Sequence, residues 1–115
     1  MPTIMSLTRL LDQIATDLRL SEPQLAGALG VTPRTLERWR TGTRYPQHDS
    51  RRRLETLTRL HERLQASFST SGAMTNWVHA DSGYLRGLKP VDALQVGRID
   101  AVDAALEALD SGIFV

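Results

Sequence analysis

Arg34, Thr35 and Arg38 are the residues whose types and spacing could do chemistry in this chain, and that chemistry is recognition rather than catalysis. Leu36 and Trp39 lie three apart and take the inward face of a short helix, which turns Arg34, Thr35 and Arg38 outward near its N-terminal end. A guanidinium is a planar fork that matches a phosphate or a guanine edge, so this face would read bases in DNA. Thr32, Arg40 and Arg44 stand around it as candidate phosphate contacts.

The elements that must position these residues are written into Ser21–Trp39, SEPQLAGALGVTPRTLERW. Ser21 with Gln24 three residues later is a capping box, and Thr32 followed by Pro33 is a cap and a preset φ. Between them, Ala26 supplies a small side chain where two helices cross, and Gly30 supplies the positive φ of the bend. This is the spacing of a helix-turn-helix. Trp39 shares the inward face with Leu36 and is therefore a core residue, not a base-stacking one.

Other chemistry finds no foothold. His48, His61 and His79 do not fall at ligand spacing, so no metal is expected and the histidines are read as surface or half-buried. Asp100, Asp103, Glu107 and Asp110 repeat at three and four residues, which is the pattern of a solvated helix face. No glycine-rich phosphate loop and no serine elbow is present. These readings predict no catalytic residue, no cofactor and no enzyme.

The chain has 115 residues, a net charge of +1 and no cysteine, which leaves room for one modest core or two very small ones and excludes disulfides. The near-zero charge hides an asymmetry: residues 1 to 65 hold eleven arginines against seven acids, and residues 66 to 115 hold three basic residues against six acids. The basic half suits phosphate and the acidic half does not. The start MPTIMSLTRLLDQI lacks a basic leader and no apolar run approaches membrane length, so a cytoplasmic protein without a membrane partner is expected.

Leu7, Leu10, Leu11, Ile14 and Leu18 predict an opening helix over the helix-turn-helix. Gly42 should end the recognition helix, and a fourth helix should start at Asp49 or Ser50 and bury Leu54, Leu57, Leu60 and Leu64. Its first turn carries Arg51, Arg52 and Arg53, where positive charge opposes the helix dipole. Small polar residues at Ser67–Gly72 mark a linker between residues 1–66 and 73–115. Beyond it, Met74, Trp77 and Val78 predict a short helix, Pro90 opens another that Gly97 closes, and Ile99, Val102, Leu106 and Leu109 form the inward stripe of a last helix ended by Gly112. The fold class is all-α. Ile113, Phe114 and Val115 then need an apolar receiver, in their own domain, in a dimer mate or in another partner.

Residues 21 to 46 resemble the Xre-type helix-turn-helix family, carried by Thr32-Pro33-Arg34-Thr35-Leu36-Glu37-Arg38-Trp39 with Gly42 and Pro46. Glu22 stands where many of these domains have a phosphate-binding Gln, and Arg40 stands where an acidic residue is common. The second half resembles the MbcA/ParS/Xre antitoxin C-terminal domain, through Trp77-Val78, Gly87-Leu88-Lys89-Pro90-Val91-Asp92-Ala93-Leu94, Gly97 and Leu109-Asp110-Ser111-Gly112-Ile113-Phe114. The pair implies a cytoplasmic type II antitoxin that blocks a RES-domain toxin, an NAD-consuming enzyme, and represses the shared operon by binding operator DNA, as a homodimer within the complex. On the toxin side the resemblance and the apolar ending single out Leu106, Leu109, Gly112, Ile113, Phe114 and Val115, with Trp77 and Leu94 supporting the domain. A free-standing helix-turn-helix regulator with a C-terminal dimerisation domain is the alternative.

Overall fold

The computed structural model describes residues 4–112, and within them the chain folds into seven α-helices and no strand. The helices are α1 (Ile4–Leu18), α2 (Glu22–Ala28), α3 (Pro33–Thr41), α4 (His48–Ser67), α5 (Ser71–Val78), α6 (Pro90–Gln95) and α7 (Ile99–Asp110). The helix starts follow the local chemistry. Ser21 Oγ accepts from Gln24 N at 3.3 Å while Ser21 N donates to Gln24 Oε1 at 2.8 Å, closing the capping box of α2. Thr32 Oγ1 accepts from Thr35 N at the head of α3, and Gly42 ends that helix in the left-handed region at φ +80°. α4 starts at His48, one residue before the earlier of the two expected positions, with Gln47 as a cap that makes no side-chain bond.

The segment 67–72 is a tighter connection than a linker. Ser67 closes α4, and Ser71 and Gly72 already open α5. The buried side chains on its two sides form one cluster that runs from Leu7, Leu11 and Ile14 through Leu25, Leu36 and Leu57 to Leu94, Val102 and Leu106. Local composition marked a break because small polar residues suit any turn between helices; whether the cores on either side merge is decided by long-range packing.

The two halves meet backbone to backbone where α2 packs on α6. A Cβ placed on Gly27 would lie 1.9 Å from the backbone oxygen of Gln95, so only glycine lets the two backbones meet there. Arg53 lies across the same seam: its side chain covers Gly30, at φ +71°, and Nη1 donates a long 3.5 Å bond to Gly97 O. At the other end, α5 reaches back to α1, where Thr75 Oγ1 donates to Asp17 O at 3.1 Å and His79 Nε2 bonds Leu18 O at 2.9 Å. Those are carbonyls of the last turn of α1, which have no partner inside the helix.

Candidate functional site

α3 is seated by Leu36 and Trp39, both buried, and this leaves Arg34 fully exposed and Thr35 and Arg38 half-buried on its outer side. Beside them runs an open groove of about 990 Å³ lined by Glu22, Arg34, Glu37, Arg38, Arg40 and Thr43 among others. Arg44 is exposed just past the helix end, and its backbone N–H donates to Arg38 O at 3.2 Å. Of the six residues singled out for DNA, Arg34 and Arg38 thus meet at the groove with free side chains, while Thr35 and Arg44 are accessible but do not line it.

The other two are already employed. Arg40 Nη1 pairs with Asp12 on α1, and Nη2 donates to Glu22 Oε1 on α2 at 2.8 Å, so its terminal nitrogens brace three helices instead of standing open to phosphate. The hydroxyl of Thr32 is likewise spent on Thr35, accepting from its N–H and lying 3.2 Å from its Oγ1. The two positions that departed from the family pattern, Glu22 and Arg40, are thus partners of each other. Sequence spacing could not show this, because 18 residues and a turn separate them.

The C-terminal set divides in the same way. Leu106 is fully buried in the shared core and cannot touch a partner, as its place in the inward stripe of α7 requires. Leu109 is half-buried against that core, Gly112 is exposed at φ +77°, and Ile113, Phe114 and Val115 lie outside the described residues. Leu94 is buried, while Trp77 is half-buried with its ring centroid 5.9 Å from that of Phe68. The exposed large hydrophobics of this half, among the described residues, are Tyr84, Leu88, just before α6, and Val96, at its end and 75% exposed. Leu88 belongs to the motif at Gly87–Leu94, whereas Val96 did not stand out in sequence, since a single apolar residue in a turn has no periodicity.

The acidic face of α7 is open to water, as its spacing implied, and three of its four acids also face one arginine. Arg63 on α4 pairs with Asp103, donates to Glu107 Oε2 at 2.9 Å and lies 3.9 Å from Asp110, which also accepts from Ser67 Oγ at 2.9 Å. His61, expected nearer the surface, is buried with Nε2 2.8 Å from Asp17 Oδ2. Burial pushes the Asp17 carboxyl up, but hydrogen bonds from Gln13 and His61 and the His61 charge outweigh it and hold the group below the usual carboxylate range. No cluster of three or more His, Cys, Asp or Glu able to hold a metal occurs among the described residues, and no helix among them is long and apolar enough to cross a membrane.

No protein-family model matches the chain. A Mycobacterium tuberculosis protein named "probable mycobacterial cidal antitoxin" is 31% identical over 96 residues, 84% of this chain and 81% of the relative. The chain belongs to the mycobacterial cidal antitoxin family. MbcA of Mycobacterium bovis, another mycobacterial cidal antitoxin, is 26% identical over 98 residues, 85% of this chain and 86% of its own length. The fold agrees: a chain in the crystal structure of the M. tuberculosis MbcT–MbcA toxin–antitoxin complex superposes with a TM-score of 0.64 at 25% identity, covering 95% of this chain and 97% of that one. As a member of the cidal antitoxin family, the protein is an antitoxin of a toxin–antitoxin system. A match of 96 residues is longer than either half, so the likeness spans the seam at Gly27 and the helices on both sides of it.

Proposed function

We propose that this antitoxin neutralises its toxin by direct contact through the C-terminal half, and that the toxin is a RES-domain enzyme that degrades NAD. The observation that carries the reading is the likeness, over 95% of the chain, to a chain of the MbcT–MbcA complex; the RES-type partner is what the resemblance of the motifs at Gly87–Leu94 and Leu109–Phe114 implies. The antitoxin acts by binding and needs no catalysis of its own. Residues 73–115 carry the toxin-facing surface, with Leu109, Gly112 and the residues after it meeting the toxin while Leu94 and Leu106 belong to the core. Residues 1–66 carry the DNA-facing surface: Arg34, Thr35 and Arg38 read bases and Arg44 holds phosphate, so that a cytoplasmic, homodimeric, type II complex represses its own operon.

The test is co-expression with the neighbouring toxin gene, following growth and the cellular NAD pool. Full-length antitoxin should restore both, and a chain truncated after Ser111 should restore neither while keeping its helical signal and melting temperature. Full protection by the truncated chain would overturn the role of the last residues, and a neighbour that leaves NAD untouched would overturn the toxin class.

A further inference from the structure

Arg40 is an unusual side chain to find beside a surface that is read as binding DNA. Both of its terminal nitrogens are held by carboxylates, Asp12 and Glu22, yet its side chain keeps 21% of its exposure and lines the groove next to Arg34 and Arg38. Its Nε is buried without a hydrogen-bond partner, so among polar contacts the two acids alone hold the guanidinium where it is. The acids themselves are open to water, Asp12 at 59% and Glu22 at 50% of side-chain exposure. Ion pairs with partners this exposed are screened by water and contribute little to stability. The clasp is therefore a weak brace.

Its effect on the groove is large by comparison. The groove is lined by Arg34, Arg38 and Arg40 against Glu22 and Glu37, and Asp12 sets a third carboxylate on Arg40, so much of the positive charge that should attract a polyanion is cancelled locally. A phosphate arriving at Arg40 would have to displace a carboxylate first. We propose that Asp12 and Glu22 hold Arg40 in reserve and thereby set the DNA affinity of the α3 face below what its arginines would give. This rests on the reading of that face as DNA-binding. The residues concerned determine affinity and its salt dependence, not the base sequence, because Arg40 would address a phosphate.

The experiment measures binding of the full chain to a fluorescent duplex carrying the region upstream of its own gene, by anisotropy, between about 50 and 200 mM salt. The proteins are the wild type, Glu22→Gln, Asp12→Asn, and each of these combined with Arg40→Gln, with folding checked by circular dichroism and thermal melting. Freed from one acid, Arg40 should reach a phosphate: affinity should rise at least threefold, and the slope of log affinity against log salt should steepen by roughly 0.9, one counterion's worth. In the combined variants the gain should vanish. A gain that persists without Arg40 would mean that deleting negative charge, or at position 22 the new Gln itself meeting phosphate, is enough, and would overturn the proposal. Unchanged affinity in both single variants beside a wild type that binds would overturn it too, leaving the DNA reading intact. Absence of binding by every protein at every salt concentration would instead remove the DNA reading, and the proposal with it.

Discussion

Arg40 and Arg63 solve the same local problem in two regions of the molecule and serve different ends. Each is one guanidinium shared between acids of other helices: Arg40 joins α3 to Asp12 of α1 and Glu22 of α2, and Arg63 joins α4 to Asp103 and Glu107 of α7. The first clasp lies entirely within the basic N-terminal half, beside the groove. The second crosses from that half to the acidic one. Part of the charge asymmetry along the chain is therefore internal complementarity, with Arg63 of the basic half neutralising acids of the other. What separates the two regions functionally is where a clasp sits relative to an open surface, not how it is built.

The comparison breaks most completely at the seam, where neither clasp is touched. Gly27→Ala puts a methyl against the backbone of α6, which cannot swing aside as a side chain would. Overpacking of this kind costs about 3 kcal/mol, the upper end for an inserted methyl. Because the halves share one core, the loss should appear as a lower midpoint of a single cooperative denaturant transition, monitored together by far-UV circular dichroism and by Trp39 and Trp77 fluorescence. Two separated transitions would show that the halves fold independently.

A smaller effect distinguishes the pair of buried His61 and half-buried Asp17 from both clasps, whose acids are more exposed. Asp17 is anchored by Gln13 and His61, with Gln65 at 3.4 Å, and its carboxyl is held below the usual range. A carboxylate whose folded pKa is depressed contributes stability above its unfolded value, near 4, and loses it as pH falls through the lower folded value. Asp17→Asn should cost about 2 kcal/mol at neutral pH by leaving His61 poorly paired in the core. The difference from wild type should close on acidification below pH 4, measured as denaturant midpoints across pH. A gap that stays constant as the pH is taken well below 4 would show that the carboxylate charge is not what the pair uses.

How far these regions could be read in advance follows the range of the interaction. Ser21, Thr32 and Gly42 act on backbone groups within a few residues, so the starts of α2 and α3 and the end of α3 were legible. The leucine stripes were legible for the same reason, including the burial of Leu106, which its spacing with Ile99 and Val102 fixed and which its nomination as a toxin contact ignored. Gly27 carried no signal: a glycine within a seven-residue helix marks a close approach without saying to what. Arg40 appeared as a free cation, because the pairing with Asp12 and Glu22 depends on how α1 and α2 cross α3, and that geometry is set by the whole bundle.

The smallest effect sharpens the comparison best, because it compares the clasps directly. Arg63 has a side chain 36% exposed, and its acids are 48%, 70% and 40% exposed, so water screens every pair in the network. Arg63→Gln should therefore cost about 1 kcal/mol, and Arg40→Gln no more than that, in urea midpoints at low salt. Raising the salt should shrink both differences, as the Debye length falls below the spacing of the exposed charges. The two substitutions should part company only in binding. Arg63→Gln lies away from the groove and should leave DNA affinity at the wild-type value, whereas Arg40→Gln leaves Asp12 and Glu22 bare beside it and should weaken binding several-fold. Equal weakening by both would mean that net charge alone governs binding, and that the position of a clasp beside the groove is irrelevant.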